Sequence, residues 1–241
     1  MFAFAGKFLA SGLMTHRELL RTAYAQTVYH LGKADHQQTE RLRKEVSRLV
    51  TGWEVAKVNA IAAQTLHEVI TPQVFAEALK LIEQHHQAGR DVIIVSASGW
   101  EIVAPIARML GADQAIATRM QIAHGRYTGH IEFYCYGEAK AEKIQHLADA
   151  EGYNLDSSYA YSDSVTDLPM LHTVGHPAVV NPDRALRREA LEQGWDVLNF
   201  AKPVSLRPIY RKPRAIAGIG VGVGLAILGA TLWTARRNNQ G

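Results

Sequence analysis

The sequence predicts an α/β fold, a mostly parallel sheet wound with helices on both faces. Residues 91–95, 159–161 and 178–180 are short runs rich in Val, Ile, Ala and Tyr, the composition of strands buried on both faces. Each lies between stretches that carry apolar residues at three- and four-residue spacing, the period of an amphipathic helix. Gly, Pro, Asn and Asp punctuate the joints.

Residues 1–13 are apolar except for Lys7, and nothing basic precedes them, so they do not read as a signal peptide. Helices are expected over 15–31, 35–50, 53–69 and 72–87, separated by Gly32, Gly52 and the Thr71-Pro72 pair. Gly89 stops the last of them ahead of strand 91–95. That strand ends at Ser96-Ala97-Ser98-Gly99, and 100–110 reads as a helix closing near Gly111. Residues 115–122 and 127–134 alternate as strands around Ala123-His124-Gly125-Arg126, a hairpin signal. A helix follows from Tyr136-Gly137-Glu138 to about residue 151. Strand 159–161, a helical turn at 168–173 and strand 178–180 come next. Asn181-Pro182-Asp183 then introduces a helix over 184–193, and 195–200 supplies the last strand.

Three places carry chemistry. Ser162-Asp163-Ser164-Val165-Thr166-Asp167 sets two carboxylates four residues apart at the carboxyl end of a strand. Open α/β sheets bind ligands there, and hard carboxylate oxygens suit Mg²⁺. Ser96 stands at a strand-to-helix turn, where hydroxyls and backbone N–H groups make an anion site. Lys140 falls in the first turn of its helix, where the dipole favours anions, as expected of a lysine recruited to a phosphate. Singly, each has a plainer reading as a turn serine, a solvated lysine or an acidic surface turn.

In order along the chain, 92–96, Lys140 and 162–167 resemble motifs II, III and IV of the haloacid dehalogenase superfamily, in the subgroup similar to phosphoserine phosphatase. The resemblance spans roughly residues 6–200. It implies a Rossmann-like parallel sheet with a helical cap and Mg²⁺-dependent hydrolysis of a small phosphorylated metabolite through an aspartyl-phosphate. Ser96 would then hydrogen-bond the phosphoryl group and Lys140 balance its charge. Asp163 would bind Mg²⁺, and Asp167 would orient Lys140 or a metal-bound water. Ser164 and Thr166 would hold the carboxylates or the substrate. Thr166 stands where phosphoserine phosphatases usually carry Asn, which weakens phosphoserine as the substrate. The implied organisation is a helical cap in 1–70, a core in 71–205, and a basic linker with a membrane helix in 206–241.

The resemblance also has a departure. The family's first motif, Asp-x-Asp-x-Thr/Val at the end of the first strand, supplies the nucleophile and the general acid/base. The sequence shows no counterpart, and Glu18 is its first acidic residue. The nucleophile strand is therefore expected to be missing, through a truncated or mis-started reading frame, and the chain as written to bind metal weakly and turn over negligibly. That strand would lie between those ending at Ser96 and Ser162, so an opening, or N-terminal residues filling it, is expected there. A non-catalytic phosphate-binding or scaffold protein is the alternative.

Composition narrows the partners. A formal charge of +3 is too slight to argue for nucleic acid. The single cysteine, Cys135, rules out an intramolecular disulfide, and the eleven histidines lack metal-ligand spacing. Residues 215–234 run for 20 positions without a charge, long enough at about 1.5 Å per residue to span a bilayer core of about 30 Å. Arg207, Arg211, Lys212 and Arg214 precede this run and Arg236-Arg237 follow it. A single-pass protein with a cytoplasmic globular domain is the expectation. Gly218/Gly222 and Gly220/Gly224 make G-x-x-x-G steps that would suit a homodimer.

Overall fold

A computed structural model of the protein describes residues 5–15, 36–201 and 203, with 36–42 described as helix backbone alone. The helix expected over 15–31 lies outside these residues beyond Thr15, and so does the expected membrane span at 215–234. Among the described residues no helix is long and apolar enough to cross a membrane.

Helices α1 (Ala5–Ala10), α2 (His36–Val50), α3 (Val55–Ile70) and α4 (Ala76–Gln87) precede strand β1 (Ile93–Gly99). Then follow α5 (Trp100–Leu110), the hairpin β2 (Gln114–Ala123) and β3 (Arg126–Phe133), and α6 (Glu138–Glu151). The chain closes with β4 (Tyr159–Ser162), α7 (Leu168–Leu171), β5 (His176–Val180), α8 (Arg184–Gln193) and β6 (Asp196–Leu198). Local chemistry accounts for the sharpest boundaries. Gly111 caps α5 at φ 78°, a left-handed conformation that suits glycine. His124 and Gly125 turn the hairpin with φ of 50° and 72°, the double-positive geometry of a tight two-residue turn. Asp183 caps α8 by accepting the Leu186 N–H at 2.8 Å.

Two elements differ from the sequence reading. Asp91 and Val92 stay out of β1; the Val92 N–H goes to the Asp113 carboxylate, and its carbonyl accepts the Asp113 and Gln114 N–H groups. At the other end β1 continues past Ser96 to Gly99, with a break in its pairing. The helix expected at 168–173 is present but shorter, as α7 at Leu168–Leu171, and a 3₁₀ turn, Val165–Asp167, runs into it.

The strands form two sheets of order β1-β2-β3 and β4-β5-β6. β1 pairs parallel with β2, β2 antiparallel with β3, and β4, β5 and β6 run parallel. Among the described residues no strand pairs with the other edge of β1 or of β4. A cavity of about 410 Å³ touches both edges, at Ile93 and Val95 on one side and Ala160 and Tyr161 on the other. Leu81 and Ile82 of α4 and Ile144 and Leu147 of α6 complete its walls. Such a slot is apolar around backbone groups that would be costly to bury unpaired.

The early helices seat on the β1-β2-β3 side. Phe8, Trp53, Leu66 and Ile70 share one apolar cluster with Ile102, Ile106 and Leu110 of α5 and Tyr127 of β3. Backbone bonds Gly52 N–H to Tyr127 O (2.8 Å), Tyr127 N–H to Trp53 O (3.1 Å) and Val55 N–H to Gly125 O (3.0 Å) hold the hairpin tip to the α2–α3 joint. Residues on both sides of the expected 70/71 boundary belong to this cluster.

Gly175 precedes β5 under a close backbone approach: a Cβ there would collide with the carbonyl of Asp156. Main-chain atoms cannot step aside as a flexible side chain does. Gly175→Ala is expected to cost about 3 kcal/mol, seen as a lower urea midpoint at unchanged slope.

Candidate active site

The site forms where the carboxyl ends of β1 and β4 approach the start of α6. β4 delivers Ser162, and the chain then turns through Asp163 and Ser164 into the 3₁₀ turn that carries Asp167. Ser162, Asp163 and Asp167 are all buried, at 0, 2 and 1 % exposure. Asp167 is clamped from two sides. Its Oδ1 accepts Lys140 Nζ at 2.7 Å, and its Oδ2 accepts the Ser162 hydroxyl at 2.8 Å. Lys140, third residue of α6, is 3 % exposed, so this cation has left water and sits against a carboxylate. The turn into α6 passes through Gly137 at φ 55° and ψ −127°, a conformation that other residues adopt only under strain.

The acidic loop is pinned from α8. Asp183 N–H donates to the Asp163 carbonyl at 2.7 Å, and the Asp183 carboxylate accepts Val165 N–H at 2.8 Å while it caps α8. Thr166 is half-buried, and its hydroxyl lies 3.0 Å from that of Ser164.

Ser96 joins this group through Cys135. Ser96 is 5 % exposed, and its Oγ accepts the Ser98 N–H at 3.2 Å. Burial pushes the Cys135 thiol up to about 11; the Lys140 charge and a bond from the Ser96 backbone pull the other way, and Asp167 adds to the rise. The Thr118 hydroxyl ties Ala97, the residue after Ser96, to Cys135, on the segment leading into Lys140. The structure brings Ser96, Lys140 and Asp167 into one locale, with Asp163 and Thr166 on the same loop as Asp167. Asp183 and Cys135 were not legible as parts of the site. Asp183 showed only its capping signal, and Cys135 depends on partners far away in sequence, Thr118 and Ile116.

Mg²⁺ takes about six oxygens and is usually held by one or two carboxylates, with water and phosphate completing the set. Among the described residues no three Asp, Glu, His or Cys side chains gather as a cage. Both Asp167 oxygens already serve Lys140 and Ser162. Of the two carboxylates on this loop, Asp163 is the one that would hold the ion.

The family model for haloacid dehalogenase-like hydrolases matches residues 1–172. The chain belongs to the haloacid dehalogenase-like hydrolases. A probable phosphatase of Mycobacterium tuberculosis is 53% identical over 95% of this chain and 80% of its own length. A phosphoserine phosphatase of the same organism is 34% identical over 88% of this chain and 67% of its own length. Among solved structures, a protein of unknown function from Bordetella pertussis Tohama I superposes with a TM-score of 0.71 at 28% identity, over 82% of this chain and 90% of that one. This haloacid dehalogenase-like hydrolase is, by family, a phosphatase similar to phosphoserine phosphatases, with a parallel α/β fold.

Proposed function

We propose that the protein is a Mg²⁺-dependent phosphomonoesterase acting on a small phosphorylated metabolite. The observation that carries this reading is Lys140, a buried side chain held by Asp167 at 2.7 Å beside the acidic loop. Phosphoryl transfer asks chiefly for positioning and for neutralisation of oxygen charge. In this reading the Ser96 hydroxyl donates to a phosphoryl oxygen, and Lys140 offsets the charge on that group. Asp167 keeps the ammonium aimed, with Ser162 holding its second oxygen. Asp163 holds the Mg²⁺, whose chemistry when bound is to neutralise phosphoryl oxygens. Thr166 faces the substrate from the same loop.

The attacking carboxylate comes, in this proposal, on a strand seated between β1 and β4. Support lies in the two edges that pair with no strand among the described residues, and in the site's carboxylates, Asp163 and Asp167, both already assigned other roles. The chain as written is then expected to turn over negligibly, since Ser96, Lys140 and Asp163 stabilise charge but do not attack phosphorus. The same open edges favour the second reading, a phosphate-binding protein without turnover.

The 34% identical relative is a phosphoserine phosphatase, which makes phosphoserine the first ester to try. Thr166 in place of the usual Asn favours a different leaving group. We further propose that residues 1–70 contribute a lid that selects the substrate, that 215–234 anchors the protein in a membrane with its globular part cytoplasmic, and that the glycine steps of that segment support a homodimer.

The test uses a protein extended by a strand ending in Asp-x-Asp and a generic phosphomonoester. Hydrolysis should depend on Mg²⁺ and vanish in Asp163→Ala. Mg²⁺-independent hydrolysis, or an unaffected Asp163→Ala, rejects the roles of the ion and of Asp163. A dead extended protein that still binds phosphate favours the second reading.

A further inference from the structure

β1 and β2 pair in step from Ile93 with Gln114 to Ser96 with Ala117, and the next pair is Gly99 with Thr118. Ala97 and Ser98 therefore have no partner on β2. Two residues are extruded from the ladder at the very point where β1 presents Ser96. Extrusion bends a strand and leaves backbone groups to be satisfied by something else.

Thr118 satisfies one of them, the Ala97 carbonyl. Its side chain is 7 % exposed, its hydroxyl donates to the Ala97 carbonyl at 2.7 Å, and the same oxygen accepts the Cys135 N–H at 3.2 Å. A hydroxyl has one proton and two acceptor positions, so one small group serves both directions. The bond to Ala97 holds the bulge beside Ser96. The bond to Cys135 holds the segment that passes through Gly137 into Lys140. Inside the bulge, the Ser98 N–H occupies an acceptor position of Ser96 Oγ, and among the described residues nothing takes the Ser96 proton. That proton is left to point at a ligand.

We propose that Thr118 is a positioning residue for the anion pocket, fixing the separation of Ser96 from Lys140 without touching the anion. The proposal rests on reading Ser96 and Lys140 as phosphate ligands. Thr118→Val keeps the β-branched shape but strands the Ala97 carbonyl and the Cys135 N–H, so the bulge relaxes to find other partners. Thr118→Ser keeps the hydroxyl and loses only a methyl group.

Titration of the full chain with inorganic phosphate, well below each variant's melting temperature, tests this. Thr118→Val should weaken phosphate binding about tenfold or more, because a ligand shell displaced by about an ångström loses that much. Thr118→Ser should stay within about threefold of the parent, a difference of about 0.7 kcal/mol or less. Should Thr118→Val not fold, Thr118→Cys, with a weaker donor and acceptor, should show an intermediate loss. A folded Thr118→Val or Thr118→Cys that binds phosphate as the parent does overturns the proposal and leaves Thr118 a packing residue. A parent chain that binds no phosphate overturns the phosphate-site reading itself, and the proposal falls with it.

Discussion

Adding an apolar strand of about six residues that ends in Asp-x-Asp ahead of the chain is expected to raise phosphomonoester turnover at least about 10⁴-fold, the scale on which losing a covalent nucleophile is felt. The gain has two physical sources. In the proposed reading the strand would carry the attacking carboxylate to the carboxyl ends of β1 and β4, near Ser96 and Asp163. It also closes the sheet, pairing backbone groups on two edges that pair with no strand among the described residues. Its side chains would meet Val95, Ile82 and Ile144 across the 410 Å³ slot. Burial at about 1.5–3 kcal/mol per large apolar side chain is partly offset by about 1.5 kcal/mol of ordering per residue. The urea midpoint should therefore rise together with activity. Replacing the leading Asp of the added strand by Asn should keep the stability and lose the turnover. Activity without any rise in stability would mean that the strand sits elsewhere.

Breaking the Lys140–Asp167 pair is expected to have the largest effect on stability of any single substitution at the site. Both side chains are almost wholly buried, at 4 and 2 % exposure, and meet at 2.7 Å. Asp167→Ala removes the partner of a cation that cannot reach water, and it strands the Ser162 hydroxyl as well. An uncompensated buried charge of this kind costs about 3–5 kcal/mol. The double variant Lys140→Met/Asp167→Leu removes both charges and should recover most of that loss while binding no phosphate. Urea denaturation of the single and double variants measures the coupling directly. If Asp167→Ala is as stable as the parent, Lys140 has another route to solvent or to a counter-charge, and its assignment as a fixed ligand fails.

Much of this architecture is legible along the chain. The helices at 100–110 and 184–193 follow from their apolar spacing and from Gly111 and Asp183 at their ends. The hairpin follows from His124-Gly125 between alternating strands. Ser96, Lys140, Asp163 and Asp167 stand out because each follows a strand end or opens a helix. What escaped depends on partners across the sheet. Nothing near Ala97 announces that two residues leave the ladder, and nothing near Thr118 announces that its hydroxyl holds them. Asp183 carries a local capping signal, yet its second bond, to Val165 N–H, reaches back 18 residues. Val92 reads as part of a strand, yet its N–H goes to the Asp113 carboxylate, 21 residues on.

The central claim is that Ser96 and Lys140 serve one phosphate with Asp163 beside it. Calorimetric titration of the chain with inorganic phosphate, in the presence and absence of Mg²⁺, tests it most directly. The account predicts a single site, strengthened by Mg²⁺ through Asp163 and lost in both Ser96→Ala and Lys140→Met. Binding that survives both substitutions would contradict it.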